Sequence, residues 1–277
     1  MPALPLDVVL QKLSEIAPLR LAEPWDNVGL LIGDRRVSVS CVMTCLSITP
    51  EVVQESIQRR VGLLVTHHPL PFKPLTRVTS DSVAGQMLLA LISAGVAVYS
   101  AHTAFDSATG GINAMWAAML GLSNVRALEP QAESTDEMLG SGRFGCLDRP
   151  MPFDAFAKRA ASHVDAPRFR VVAASQPAVS AMVTKVAIAC GSGGAMLAAA
   201  KRRGCDAMIT GEATFHTCLE ARALGVNLVL VGHYHSERFA IARLAERLSR
   251  ELSDLEVFAS AGDVDPLKDG LGEIAKH

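Results

Sequence analysis

Five side chains that follow buried, strand-like runs are the residues of this sequence best suited to metal chemistry. Three are imidazoles and two are carboxylates, and each lies where an apolar run meets a polar loop. They are His67 and His68 in THHP, Asp106 in HTAFD, and His233 and Glu237 in GHYHSE. Imidazole nitrogens and carboxylate oxygens together suit Zn, Mn, Fe, Co or Ni and do not select among these ions.

His67 and His68 are adjacent, which bears on how many ions they would bind. Neighbouring side chains of an extended segment point to opposite sides. One ion therefore rarely takes both histidines, and two neighbouring ions with one histidine each fit better. A hydrogen-bonded pair of histidines at a strand end is an equally good interpretation of these two residues alone.

His233 and Glu237 are four residues apart, so they share one face if a helix begins here. That pair can chelate one ion, or the carboxylate can bridge two. The alternative is an N-terminal helix turn in which Ser236 or Glu237 stabilises the exposed backbone N–H groups. Asp106 by itself favours a turn or a helix cap, because Asp-Ser precedes Ala-Thr-Gly-Gly.

As a set, these five residues can hold two divalent ions a few ångströms apart, with one carboxylate as a bridge. Such a pair of ions generates hydroxide at neutral pH and clamps a reacting oxygen. Three further histidines, His102, His216 and His235, are candidate catalytic residues that either orient a ligand or transfer a proton. For each of them the alternative is a hydrogen-bonded histidine in the wall of a cavity.

The elements that must position these residues form an α/β pattern. Buried strands are predicted at 61–69, 96–106 and 226–231, and amphipathic or capped helices are predicted between them, such as 50–60 with Thr49 as N-cap. In open α/β sheets, ligands bind outside the carboxyl ends of the strands. The alternation predicts a largely parallel sheet with the histidine-bearing loops at one edge.

Composition narrows the class of protein. The chain has 277 residues, 49% hydrophobic and 19% charged, which predicts a sizeable core. The net charge of −2 comes without a basic stripe, so a nucleic-acid partner is not expected.

The least charged stretch, 171–200, is interrupted by Gln176, Pro177 and GSGG, so no membrane span is expected. Six scattered cysteines and an N-terminus without a basic leader favour a reduced, cytoplasmic protein.

Six motifs, taken in order, resemble a known family. They are PWDNVGLLIGD at 24–34, LLVTHHPLPF at 63–72, VYSAHTAFDSATGGIN at 98–113, DAMITGEATFHT at 206–217, GHYHSE at 232–237 and SAGDVDP at 260–266. The family is that of the GTP cyclohydrolase I type 2 homologues, also called NGG-interacting-factor-three-like proteins, which bind two metal ions. The resemblance covers nearly the whole chain. It is specific because of the order and spacing of the motifs, each of which is modest alone.

The resemblance implies two α/β domains with mixed, largely parallel sheets, the second inserted into the first. Domain one would comprise 1–125 and 230–277, and domain two would comprise 126–229. It also implies a homohexameric ring whose metal sites face an inner cavity. The family's ligands fall on the five residues named above. Glu237 is then the bridge, His68 and Asp106 bind one ion, and His67 and His233 bind the other.

The resemblance also bears on other residues and on function. Asp26 and Asn27 match family residues near the cavity, with loop capping as the alternative, and His235 replaces a residue that is small in the family. The implied activity is a metal-dependent hydrolase acting on a nucleotide-like substrate, including GTP ring opening with formate release. The alternative is a non-enzymatic hexameric metal-binding scaffold or interaction module.

Overall fold

The computed structural model describes residues 2–131, 135–174 and 181–268 of the protein. Its helices are α1 (Leu6–Ile16), α2 (Pro50–Gln58), α3 (Val83–Ser93), α4 (His102–Ser107), α5 (Ile112–Met119), α6 (Phe153–Ser162), α7 (Leu197–Arg202), α8 (Phe215–Leu224) and α9 (His233–Glu251). Its strands are β1 (Leu4–Pro5), β2 (Gly29–Ile32), β3 (Ser38–Val39), β4 (Cys41–Cys45), β5 (Leu63–Thr66), β6 (Ala97–Ser100), β7 (Ser123–Arg126), β8 (Glu129–Pro130), β9 (Gly140–Ser141), β10 (Arg143–Pro152), β11 (Arg170–Val172), β12 (Met182–Ala189), β13 (Ala207–Thr210), β14 (Asn227–Leu230) and β15 (Glu256–Ala259). Short 3-10 helices cover Leu19–Leu21 and Gly193–Met196.

One main sheet has the order β15-β4-β5-β6-β2. Its neighbours are parallel except for β2, which runs antiparallel to β6. Every residue of β4, β5 and β6 is buried, as expected of strands covered on both faces by helices. The carboxyl ends of β5 and β6 therefore lie side by side, and the chain carries its histidines directly beyond them.

The other main sheet has the order β11-β14-β13-β12-β10-β7. Only the pairs β12–β13 and β13–β14 are parallel, and the remaining three pairs are antiparallel. A parallel pair needs a crossover connection, whereas the described residues between β7 and β10 form only the two-residue strands β8 and β9. The mixed α/β class is confirmed, but this sheet is less parallel than the sequence suggests.

The two main sheets use different parts of the chain. The strands β7 and β10–β14 come from 123–230, while the other main sheet takes its strands from 29–100 and 256–259. One buried apolar cluster spans both parts and includes Trp116, Phe153 and Leu244. The domain boundaries near 126 and 230 stay a prediction.

The segment after β6 differs from its predicted form. The sequence predicts a strand over 96–106, but β6 ends at Ser100 and α4 begins at His102. The φ angle of His102 is +30°, which turns the chain, and the carboxylate of Asp26 accepts a hydrogen bond from the Thr103 backbone N–H. Because this acceptor lies 77 residues away in the chain, no local sequence pattern could predict the start of the helix. Asp106 therefore lies on a helix rather than at the end of a strand.

The long helix α9 begins at His233, immediately after Gly232, whose φ is +91°. The indole Nε1 of Trp116 donates a 2.8 Å hydrogen bond to the backbone oxygen of Ser236, which fixes the first turn against α5. Among the described helices, none has both the length and the apolar character needed to cross a lipid bilayer.

Candidate metal centre

His68, His233 and Glu237 converge at the carboxyl edge of β5. The Nε2 atoms of His68 and His233 are 3.3 Å apart. Oε2 of Glu237 lies 3.2 Å from the first of these nitrogens and 3.1 Å from the second. The i, i+4 spacing on α9 puts Glu237 and His233 on one face, as the sequence predicts.

His67 lies on the other side of the same carboxylate. Its Nε2 atom is 3.9 Å from Oε1 of Glu237 and 3.7 Å from Oδ1 of Asp106. The two oxygens of Glu237 thus face two different sets of candidate ligands. The resemblance paired His68 with Asp106, but the distances place His68 with His233 and His67 with Asp106.

The polar atoms of this cluster fit divalent ions. His67 and Glu237 are each 3% exposed. Both ring nitrogens of His67 are buried without a hydrogen-bond partner among the described residues, and the buried Oε2 of Glu237 faces the Nε2 atoms of His68 and His233. Leaving buried polar atoms unpaired is costly, and a coordinated cation would remove that cost. Nitrogen and carboxylate donors are the set that first-row transition metals and zinc accept.

The electrostatics of the cluster favour added positive charge. Burial and the neighbouring Glu237 carboxylate raise the pKa of Asp106 to about 7. Burial also raises the pKa of Glu237, but hydrogen bonds with His233 and His68 outweigh it and hold that pKa well below its usual range. The hydrogen bond with Glu237, followed by that with Glu212, raises the pKa of His233 to about 9. The carboxylates thus draw protons to the positions that cations would take.

Polar side chains outside the ligand set orient two of the histidines. The Nδ1 atom of His68 is 2.7 Å from the hydroxyl of Ser47. The Nδ1 atom of His233 is 3.0 Å from Oε1 of Glu212, which also accepts a 2.6 Å hydrogen bond from Ser192. Such contacts set ring orientation and raise ligand basicity. Sequence reasoning missed Ser47 and Glu212; the one available sign was that Glu212 follows the buried strand β13.

Cys190 is a third residue that sequence reasoning did not place in the site. Its thiol donates a 3.2 Å hydrogen bond to Oδ1 of Asp106, and its backbone N–H donates to Oδ1 of Asn113. Asn113 in turn donates to the backbone oxygen of Asp106. This network ties α4 and α5 to the end of β12, so the two main sheets meet at the cluster.

Two glycines allow the close approach of α9. A Cβ on Gly191 would collide with Oε1 of Glu237, and a Cβ on Gly211 would lie 2.8 Å from Oγ of Ser236. The φ angle of Gly191 is +60°, which also favours glycine. The GSGG segment at 191–194 therefore leaves room for the Glu237 side chain at Gly191.

The three candidate catalytic histidines separate in space. Only His102 joins the cluster: a ring nitrogen of each of His67, His68 and His102 lies within 4.8 Å of the others. His216 is exposed on α8, where its ring neighbours that of Phe215 at 5.9 Å. His235 lines a different cavity, with Nε2 3.5 Å from Asp265. Within this chain, the geometry places neither His216 nor His235 at the cluster.

Asp26 holds His102 in place. Oδ1 of Asp26 is 2.8 Å from Nδ1 of His102. Burial lowers the pKa of His102, but the hydrogen bond with Asp26 and the nearby carboxylates outweigh it, so the net pKa is raised. Asp26 also caps its own loop, because its Oδ1 accepts the backbone N–H of Asn27, so the two interpretations of Asp26 are compatible.

A cavity of about 490 Å³ opens over the cluster, a size that suits a small molecule. His68, His102 and Glu237 lie in its wall, and Trp25 and Phe72 lie there too. Trp25 and Phe72 are 62% and 49% exposed. A small molecule bound in this cavity would therefore lie next to the cluster.

Comparison with known proteins shows which family the chain resembles. The family model described as Duf34/NIF3 (NGG1p interacting factor 3) matches residues 5–266. A Clostridium perfringens protein named GTP cyclohydrolase 1 type 2 homolog is 30% identical over 264 residues, which is 95% of this chain and 98% of that protein. A Helicobacter pylori protein named GTP cyclohydrolase 1 type 2 is 32% identical over 241 residues, which is 87% of this chain and 90% of that protein.

A solved structure shows the same architecture. The crystal structure of a hypothetical protein from Staphylococcus aureus superposes with a TM-score of 0.86 at 27% identity. The match covers 97% of this chain and all of that one. The resemblance carried by the six sequence motifs is therefore confirmed, and the chain belongs to the Duf34/NIF3 family (NGG1p interacting factor 3).

Proposed function

We propose that the chain binds two divalent metal ions and acts as a metal-dependent hydrolase on a nucleotide-like substrate. The observation that carries the proposal is the convergence of His67, His68 and His233 on the two oxygens of Glu237, with buried polar atoms left unpaired. The name of the Helicobacter pylori relative supports GTP ring opening with formate release as the specific reaction to test first.

The donor sets divide between the two oxygens of Glu237. His68 and His233 would hold one ion with Oε2, and His67 and Asp106 would hold the other with Oε1. Bound divalent ions supply Lewis acidity, which lowers the pKa of water and polarises a carbonyl or imine group.

His102 is the proposed proton carrier. With Nδ1 directed at Asp26, the neutral ring has its other nitrogen, Nε2, available as the proton acceptor. General bases of this kind act when they lie within hydrogen-bond reach of the proton they take. His102 lines the cavity beside His68, so it can take or return a proton there. His216 and His235 have no part in this proposal.

Metal content tests the proposal directly. The protein is purified without chelator or nickel affinity resin and compared with Glu237→Ala. A matched control is Glu246→Ala, an exposed glutamate on the same helix. We expect about two ions per chain in the wild type and the control, and loss of metal in Glu237→Ala. No metal in any of the three proteins, even after soaking with Zn, Mn or Fe, would contradict the proposal.

Turnover separates the hydrolase from a metal-binding scaffold. The identified ion is used to load the protein for a screen of GTP, other nucleotides and cyclic amides, with formate detection. Activity that is lost on stripping and restored on reloading, with the assembly unchanged, supports the hydrolase. An assembly that falls apart on stripping and never shows turnover supports the scaffold.

The assembly is inferred from the family resemblance, and the location from the scattered cysteines and the composition of the N-terminal segment. The homohexameric ring and the cytoplasmic location remain proposals. Light scattering of the full chain tests the first: a mass of six chains supports it, and a stable monomer contradicts it.

A further inference from the structure

Two exposed aromatic rings lie in the wall of the cavity over the candidate metal centre. Trp25 is 62% exposed and Phe72 is 49% exposed. The other tryptophan of the chain, Trp116, has no exposed surface and donates its Nε1 hydrogen bond to Ser236. Trp116 is therefore a core residue, whereas the ring of Trp25 is free to contact a ligand in the cavity.

The two rings are held near each other and near His102. The centroids of Trp25 and Phe72 are 6.1 Å apart, and they lie 6.0 and 5.9 Å from that of His102. The loops that carry them are tied together, because Nδ2 of Asn27 donates a 2.8 Å hydrogen bond to the backbone oxygen of Pro71. The aromatic surface is therefore positioned by the same loop that holds His102.

The charges of the cavity wall limit what this surface can bind. Among the described residues that line the cavity, none is a lysine or an arginine. The wall instead carries the carboxylates of Glu23, Asp106 and Glu237, together with neutral groups such as Asn113 and Ser192. Beside the imidazoles of His68, His102 and His233, a polyphosphate would meet these carboxylates, whereas an uncharged ring would meet aromatic faces and neutral hydrogen-bonding groups. Every nucleobase has a π-face that stacks on such side chains.

We propose that Trp25 and Phe72 form the binding surface for a planar, uncharged heteroaromatic ring of the purine class. The ring stacks on them beside His102, within reach of the metal centre, and the described cavity wall offers no lysine or arginine to a phosphate tail. The inference rests on the proposed function for what happens to the ring, but stacking itself does not require the metal.

Tryptophan fluorescence of metal-free protein tests this, with guanosine as the probe. Excitation at the red edge of the tryptophan band limits absorption by the purine. We expect saturable quenching by guanosine, together with protection from the collisional quencher acrylamide. Trp25→Phe should abolish the quenching, because only the buried Trp116 remains. Absence of saturable quenching in both metal-free and metal-loaded wild-type protein would overturn the proposal.

Calorimetry with guanosine measures the contribution of each ring. Trp25→Ala and Phe72→Leu should each weaken binding by about five-fold or more. The control is Phe215→Leu, since Phe215 is 72% exposed on α8 and lies outside the cavity wall. Far-UV circular dichroism verifies that all variants fold. Equal weakening by the control, or no weakening by either cavity variant, would overturn the proposal.

Further outcomes distinguish purine stacking from an interface between copies, from recognition of phosphate and from the proposed hydrolase function. If Trp25→Ala and Phe72→Leu change the mass of the assembly but leave guanosine affinity unchanged, the rings are an interface between copies and the proposal is wrong. If metal-free protein binds GTP much more tightly than guanosine, the uncharged-ring specificity is wrong. Guanosine stacking in a protein that hydrolyses no nucleotide supports this inference while contradicting the proposed function.

Discussion

Gly191 lets the carboxylate of Glu237 lie against the turn that follows β12. A methyl group at this position would occupy the place of Oε1, the oxygen that faces His67. The site thus depends on a residue with no side chain as directly as on its ligands. Glu212 and Ser47 add a second requirement, because each fixes the ring of one histidine.

Gly191→Ala should abolish or strongly weaken metal binding while the chain stays folded, since the added Cβ displaces Glu237. The matched control is Gly204→Ala. Both glycines have a left-handed φ, +60° and +69°, but a Cβ on Gly204 meets open space. Both variants should lose about 1 kcal/mol of stability from backbone strain. Elemental analysis and urea unfolding measure the two effects, and equal metal content in both variants would contradict the steric argument.

At the scale of elements, the site is built from helix starts supported by distant parts of the chain. Asp26 caps α4 from the loop before β2, and Trp116 of α5 fixes the first turn of α9. A similar clamp holds the segment after β15: Glu55 of α2 accepts hydrogen bonds from the Ser260 hydroxyl and from the backbone N–H groups of Ala261 and Gly262.

The Glu55 clamp should make stability depend on pH. Burial raises the pKa of Glu55, but the hydrogen bonds from Ser260, Gly262 and Ala261 outweigh it, so the pKa lies below its ordinary value of 4.5. A carboxyl with a lowered folded-state pKa stabilises the protein above its unfolded-state pKa, and this contribution is lost as the pH falls through the folded-state pKa.

Glu55→Gln should therefore lower the free energy of unfolding at pH 7, and the difference from wild type should shrink below pH 4.5. Urea unfolding of both proteins across that range measures it. Because Glu55 is only partly buried and solvent screens its charge, we expect a difference of about 1 kcal/mol or less. A difference that stays constant down to pH 3 would show that the ionised carboxylate is not the stabilising form.

At the scale of the whole molecule, Arg143 joins the sheet that contains β10 to the end of α4. It lies in β10 with no exposed surface, and its guanidinium donates to the backbone oxygens of Gly140, Gly142, Ser107 and Ala108. The last two end α4, which carries Asp106. Burial lowers the pKa of Arg143 to about 10, so it remains charged at neutral pH. The buried guanidinium of Arg143 thereby fixes the turn before β10 against α4, the helix that carries Asp106.

Arg143→Met should destabilise the protein by on the order of 3 kcal/mol, because it removes a charged donor and leaves buried carbonyl oxygens unpaired. The control is Arg149→Met, an exposed arginine of the same strand, for which a change of about 0.5 kcal/mol or less is expected. Chemical denaturation measures both. A loss below about 1 kcal/mol for Arg143→Met would indicate that water replaces the guanidinium.

The sequence by itself determined which residue types could form the site and most of the elements that carry them. Buried apolar runs specified β5, β6 and β14, since only strands covered on both faces are apolar throughout. Thr49 specified the start of α2, and its hydroxyl does accept the Val52 backbone N–H. The four-residue spacing of His233 and Glu237 was enough to place both on one face of α9. The cap and the spacing rest on contacts between near neighbours in the chain, and the apolar runs can be recognised from local composition alone.

Only the tertiary structure decided how these residues combine. The pairing of His68 with His233 joins positions 165 residues apart, and the cap of α4 joins positions 77 apart. The distance between Gly191 and Glu237 depends on how the two main sheets pack, and so does the exclusion of His216 and His235 from the cluster. Local periodicity reports which face of an element is buried, but it carries no information about which other element covers that face. The sequence could therefore name the candidate ligands, whose binding of metal stays a prediction, but not their arrangement.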